Sequence, residues 1–266
     1  MEFRILGPVG LWSHGNEIPL RGFKERTIFA ALLLSNGWMT SDVQLGEALW
    51  GKRPPVTYQA QIYTYASRLR RHLADAASID RQGHGYAMKI GSARFDLHEF
   101  EMMAREGRNA AEAGQPERAA RLLHAALDLW RGPTLTDVTE SLAESERPRI
   151  EMARMDALES RIEADLMLGR HRRLTAELTR LISAHPLREG FRAQLVTALY
   201  RCDRQAEAFA VYQEGCRLLR DELGVDPGPT LKRAHHALLT DDTDHLSRYT
   251  PLREAVTVTG RSPGSA

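Results

Sequence analysis

Between Thr57 and Arg71 the sequence TYQAQIYTYASRLRR sets small hydroxyls and amides beside arginines, with no acidic residue before Asp75. On a helical wheel, Ile62, Ala66, Leu69 and Leu73 form one apolar stripe at spacings of four, three and four. The opposite face collects Thr57, Ala60, Gln61, Thr64, Ser67, Arg68 and Arg71. A solvated surface helix normally mixes both charge signs on its outer face. Small donors and acceptors beside fixed cations instead suit a close approach to phosphates and base edges. For this helix taken alone, an ordinary solvated face is the alternative.

The surrounding elements must hold that face outward. FRIL, VGLW and EIPL, separated by Gly7-Pro8 and Ser13-His14-Gly15-Asn16, read as a small antiparallel meander. From Gly22 the period becomes helical, with Ile28, Ala31, Leu32 and Leu34 on one broad face, and Asn36-Gly37 closes that helix. Thr40-Ser41 opens a second helix, with Gln44 three residues after Ser41 in capping-box register. It ends at Leu49-Trp50-Gly51, where the Trp50 indole N–H could reach a phosphate, or the ring could serve as packing. The loop KRPPVT then leads to the long basic helix. After it, SIDRQGHGYAMKI reads as a hairpin with Arg81 and His84 at its tip. Helix, helix, basic helix and hairpin follow the plan of a winged helix-turn-helix, in which one helix reads the major groove and the wing touches backbone or minor groove.

From Asp96 the texture is almost purely helical. Gly114, Gly169 and Asp203 each punctuate the start of a new helix, and the 34 residues from Gly169 to Asp203 match the period of tetratricopeptide helix pairs. The 55-residue step from Gly114 to Gly169 predicts an insertion or longer helices there. Stacked pairs share a continuous core and offer a surface to proteins or to a dimer partner. The expected fold is therefore mainly α with small β: a winged helix-turn-helix domain over 1–95, an all-α tetratricopeptide-like domain over 96–243, and a polar, disordered tail over 244–266. The 36 Lys+Arg and 35 Asp+Glu of the 266 residues leave a formal charge of +1. Residues 1–95 carry +5 and the remainder −4, so the first part alone is expected to face a polyanion.

Other chemistries find little support. Gly46 to Arg53 satisfies a G-x-x-x-x-G-K pattern, but Arg53 stands where a magnesium-binding hydroxyl is required. No metal spacing of histidines occurs, and Cys202 and Cys216 read as buried neutral thiols. No carboxylate sits isolated in an apolar run, and Trp130, Tyr200 and Tyr212 read as core or half-buried aromatics. No catalytic residue, metal or cofactor is expected, and the chain reads as a non-enzyme. Without a long apolar run or a signal-peptide pattern, it is expected in the cytoplasm, associated with the nucleoid.

RILGPVGLW, Lys24-Glu25-Arg26, EALWG, the Pro-Pro loop, TYASRLRRHL and GHGYAM resemble, in order and spacing, the Streptomyces antibiotic regulatory protein (SARP) family, whose N-terminal part is an OmpR/PhoB-type winged helix. ALDLWRGPTLTDV, AHPLREGFRAQLVTALYRCDRQAEAFAVYQ and LRDELGVDPGPTL are similar to that family's bacterial transcriptional activator domain. The likeness covers about residues 3–240 and implies a short, stand-alone activator of a biosynthetic gene cluster. It implies binding to direct repeats in double-stranded DNA near the promoter −35 element, side by side as a homodimer. Recruitment of RNA polymerase through the sigma factor and the alpha C-terminal domain is implied as well. By position, the recognition helix is Ala60–Leu73, with Thr64, Ser67, Arg68 and Arg71 toward DNA and Tyr65 and Arg70 flanking. Trp50 falls at a phosphate contact, and Gly51, Lys52, Arg53, Pro54, Pro55 and Val56, up to Thr57, form the polymerase-contacting loop. The wing, RQGHGYAM, departs from the family pattern. A tetratricopeptide-type scaffold whose winged helix contacts protein is the second reading.

Overall fold

The computed structural model describes residues 1–240, and the tail expected over 244–266 lies outside them. β1 (Glu2–Arg4), β2 (Gly10–Ser13) and β3 (Asn16–Ile18) form the expected antiparallel meander. His14 and Gly15, with φ of 50° and 82°, make the tight turn between β2 and β3. A two-residue strand with no sequence signal, β7 (Arg94–Phe95), pairs parallel to β1 and extends the sheet to the order β3-β2-β1-β7.

α1 (Gly22–Leu34) ends where Asn36 and Gly37 take positive φ. It was expected to bury one broad face, yet Thr27 to Leu33 are all buried while Leu34 is not. Two layers cover it. Phe29 meets Phe3 of the sheet edge-to-face at 5.3 Å, and the Thr139 amide donates to Thr27 Oγ1 at 2.9 Å. α2 (Asp42–Trp50) begins with the anticipated capping box: Ser41 Oγ accepts the Gln44 amide at 3.2 Å, and Gln44 Oε1 accepts the Ser41 amide at 2.9 Å. α3 (Tyr58–Leu73) buries Ile62, Ala66, Leu69 and Leu73 completely, packing against α1 and α2. A 3-10 turn, Ala74–Ala76, leads into the hairpin of β5 (Ala77–Gln82) and β6 (Gly85–Ile90). Thr40-Ser41, read only as a helix start, also forms β4 and pairs with β6, which makes the wing three-stranded.

The helical part contains α4 (Asp96–Glu112), α5 (Pro116–Leu127), α6 (Glu140–Met167), α7 (His171–Ala184), α8 (Glu189–Tyr200), α9 (Gln205–Leu223) and α10 (Pro229–Thr240). Its three punctuation points share one geometry. Gly114, Gly169 and Asp203 have φ of 70°, 74° and 60°. The amides that follow them, of Gln115, Arg170 and Arg204, each donate back five residues, to the carbonyls of Ala110, Asp165 and Leu199. The long step between the first two turns is accounted for by the 28-residue α6 and the irregular stretch 128–139.

The chain packs as two compact units, Met1–Ala164 and the part from Asp165 onward. In the second, α8 is buried along its length from Phe191 to Leu199 and packs against α7, α9 and α10. The burial takes in the polar side chains Arg192, Gln194 and Thr197 along with the apolar ones. Arg192 lies across α9 at Gly215, where a Cβ would fall 2.3 Å from its Cδ. The cysteines, expected to be buried, are half-buried free thiols: Cys202 lies in the exposed turn after α8, and Cys216 on α9.

The boundary expected at 95/96 lies inside the first unit, because polar groups of the N-terminal sheet are satisfied from beyond it. The buried Asp96 carboxylate accepts the amides of Ile5 and Leu6, at 3.0 and 3.1 Å, and pairs with the Arg131 guanidinium. Thr134 donates its hydroxyl to the Ile5 carbonyl, and the Val9 amide donates to Asp137 at 2.8 Å. No isolated carboxylate was expected, but tertiary packing makes one: burial pushes the Asp96 pKa up, against the opposing pull of Arg131 and the two amides. Asp96→Ala strands those amides and Arg131. It is expected to lower the stability of the first unit by about 3 kcal/mol, and Arg131→Ala by less. All four tryptophans, Trp12, Trp38, Trp50 and Trp130, lie in that unit, so urea denaturation followed by tryptophan fluorescence reads it directly. An unchanged midpoint for Asp96→Ala would refute this role.

Candidate nucleic-acid interface

The buried stripe of α3 forces the opposite face outward. Thr57, Ala60, Thr64 and Arg71 are exposed, and Gln61, Ser67 and Arg68 half-buried. Thr64 donates its hydroxyl to the Ala60 carbonyl at 2.9 Å, which leaves the oxygen free to accept. The Gln61 amide donates to Thr57 Oγ1 at 3.2 Å. Tyr65 flanks the face half-buried, with the Arg68 guanidinium 6.0 Å from its ring centre. Among the described residues neither Arg68 nor Arg71 forms an ion pair. Both cations are available to an anion.

The other two arginines of the expected site, half-buried Arg70 and Arg81 with 42% of its side chain exposed, bond within the protein. Arg70 Nε donates to the Ile79 carbonyl at 2.7 Å and so ties α3 to the wing. Arg81 places Nη1 and Nη2 each 2.7 Å from the two carboxylate oxygens of Asp42, while its Nε donates to Gly83 at 3.1 Å. The Asp42 hydrogen bond pushes the Arg81 pKa up. The ring of Tyr86 lies between them, 5.8 Å from the Arg70 guanidinium and 4.7 Å from that of Arg81. Of the wing residues expected at the tip, His84 alone is exposed without a side-chain partner among the described residues.

Two side chains missed in the sequence join this surface. Tyr63, 62% exposed, and Gln59 line a cleft of about 320 Å³ with Arg70, Arg81 and Tyr86, between α3 and the wing. They lie on the flank of the helical wheel nearer the wing, and only the wing's position brings them into the site. The sole local hint was an aromatic standing outside the buried stripe.

Trp50 is half-buried with Lys24 Nζ 4.9 Å from its ring centre, and its indole N–H has no partner among the described residues. In the loop after it, Gly51 has a φ of 62°, Lys52, Arg53, Pro54 and Val56 are exposed, and Pro55 is half-buried. The Tyr58 amide closes the loop on the Pro55 carbonyl at 2.9 Å. Gly46, the first glycine of the G-x-x-x-x-G-K pattern, is buried inside α2, where it makes room for the Tyr58 ring rather than for a phosphate. A second cleft of about 510 Å³ runs between α7, α8 and α9, but its arginines face acids: Arg204 to Glu207 at 2.6 Å and Arg192 to Glu214 at 3.8 Å. Among the described residues no group of three His, Cys, Asp or Glu could hold a metal ion, and no helix is long and apolar enough to cross a membrane.

The family model of the bacterial transcriptional activator domain matches residues 95–239. The regulatory protein AfsR of Streptomyces coelicolor is 40% identical over 98% of this chain, which spans 26% of AfsR. The regulatory protein DnrI of Streptomyces peucetius is 33% identical over 91% of this chain and 93% of its own length. The solved structure of Mycobacterium tuberculosis EmbR, in complex with a low-affinity phosphopeptide, superposes with a TM-score of 0.84 at 33% identity, covering 90% of this chain and 65% of EmbR.

The wing stays against α2 because Gly85 lets β4 approach. A Cβ there would fall 2.4 Å from the Thr40 carbonyl oxygen and 2.9 Å from Ser41 Cα. Gly85→Ala is expected to cost about 1–3 kcal/mol through overpacking. The fluorescence-detected urea midpoint should fall with its slope unchanged, and a midpoint equal to that of the wild type would contradict so close an approach.

Proposed function

Because the chain belongs to the Streptomyces antibiotic regulatory protein family, we propose that it is a sequence-specific DNA-binding activator of a biosynthetic gene cluster, making antibiotics or other secondary metabolites. The observation that carries this reading is the outer face of α3: acid-free, rich in small polar groups, and bearing two arginines without ion pairs. Arg68 and Arg71 meet phosphates or guanine edges, while Thr57, Gln61, Thr64 and Ser67 supply short donors and acceptors at the groove. Tyr65 and Trp50 border that contact, and His84 reaches the backbone from the wing. The exposed loop from Lys52 to Val56 meets RNA polymerase, through its sigma factor and the alpha C-terminal domain. The protein acts as a side-by-side homodimer on direct repeats near the −35 element, in the cytoplasm on nucleoid DNA.

A gel-shift assay on the promoters neighbouring its own gene tests the reading. Arg68→Ala and Arg71→Ala should each weaken binding by about 1–3 kcal/mol where the side chain reads a base. A phosphate contact should instead weaken all sequences alike and flatten the salt dependence, whose logarithmic slope is about −0.9 per neutralised phosphate. Equal affinity of both variants and the wild type would sink the site assignment. A flat salt response of the wild type would sink DNA binding itself and favour a winged helix that contacts protein.

A further inference from the structure

We propose that the Asp42–Arg81 pair is a positioning clamp that fixes the wing against the helix-turn-helix, and that Arg81 makes no DNA contact of its own. The inference rests on the DNA-binding reading of α3 and the wing given above. Three features carry it.

Asp42 is the first residue of α2 and is 2% exposed, so its charge is matched within the protein rather than by solvent. Its carboxylate and the Arg81 guanidinium meet through two parallel hydrogen bonds of 2.7 Å, a geometry that sets direction as well as distance. Asp42 also grips the wing through its backbone, since its amide donates to the His84 carbonyl at 2.7 Å. One residue of α2 therefore holds β5 by its side chain and the hairpin turn by its main chain.

A second contact holds β5 from the other helix. Arg70 of α3 reaches the Ile79 carbonyl, so two arginines bracket Tyr86 and connect the hairpin to both helices of the helix-turn-helix. Arg81 is thus a positioning residue. Its charge is cancelled where it stands, and what it supplies is the angle at which Gly83-His84 meets the duplex. Lysine cannot replace it, because an ammonium lacks the planar fork.

The clamp predicts a result opposite in sign to simple electrostatics. Asp42→Asn removes a negative charge next to a surface that faces a polyanion, and by charge alone, or by freeing Arg81 for DNA, it should tighten binding. The clamp predicts instead that Asp42→Asn and Arg81→Gln each weaken promoter binding about tenfold. The double variant Asp42→Asn/Arg81→Gln should be no weaker than either single one. Arg81→Lys should behave like Arg81→Gln despite keeping its charge.

Fluorescence anisotropy with labelled promoter DNA at one salt concentration reads all five proteins, and circular dichroism verifies their folding. Tighter binding by Asp42→Asn, restoration by Arg81→Lys, or additive losses in the double variant would each overturn the clamp. Should Asp42→Asn fail to fold, the comparison of Arg81→Lys with Arg81→Gln decides the question. If the wild type shows no salt-dependent binding, the functional reading fails. The clamp then stands or falls on the double-mutant cycle in urea unfolding, where additive effects would overturn it.

Discussion

The Asp96 carboxylate lies where the N-terminal sheet would otherwise end in unpaired amides, and much of the first unit is arranged around it. Beyond β1, Ile5 and Leu6 turn their N–H groups into the protein, and only an acceptor brought from elsewhere can satisfy them. Asp96 supplies it from the first turn of α4, a position where the helix dipole also favours a negative charge. Arg131 completes the set: its guanidinium neutralises Asp96, and its backbone amide donates to the Leu6 carbonyl at 2.8 Å. Gly7, at a φ of 144°, lets the Arg131 backbone lie against the turn. The winged helix is thus completed by the start of the activator domain, and this is why residues 1–164 pack as one unit.

The same economy governs the charged surface. The first 95 residues carry a net +5, yet that figure overstates what faces outward. Arg26 pairs with Asp137 at 3.2 Å and Arg94 with Glu99 at 2.6 Å, both acids from beyond residue 95, while the Arg81–Asp42 pair is already counted within the sum. Arg70 spends its Nε on the Ile79 carbonyl. Arg68 and Arg71, by contrast, form no ion pair among the described residues. Four arginines of the helix-turn-helix and wing thus divide into two that hold the framework and two that present charge, and the partner within reach makes the difference.

The local elements were legible in the sequence because their causes are local. The Ile62-Ala66-Leu69-Leu73 spacing, the Ser41–Gln44 capping box, the Gly83-His84 turn and the punctuation at Gly114, Gly169 and Asp203 each rest on preferences expressed within a few residues. The outward face of α3 follows from the stripe alone, as its complement. β7 has no comparable signal: two residues become a strand only because β1 lies beside them. The same holds for β4, for the burial of α1 on all sides, and for the half-buried state of Cys202 and Cys216.

By itself the sequence determined the order of elements, the acid-free face of α3, the helical register of the second half and the family to which the chain belongs. Only the tertiary structure decided which arginines present their charge, that Tyr63 and Gln59 border the interface, and that the first packing unit extends to Ala164. The physical reason is distance along the chain. Asp42 and Arg81 are 39 residues apart, Ile5 and Asp96 are 91 apart, and Val9 and Asp137 are 128 apart. Helix periodicity, caps and turns act over a handful of positions, whereas the partner of a buried charge or an orphaned amide is chosen by whatever the folded chain brings beside it.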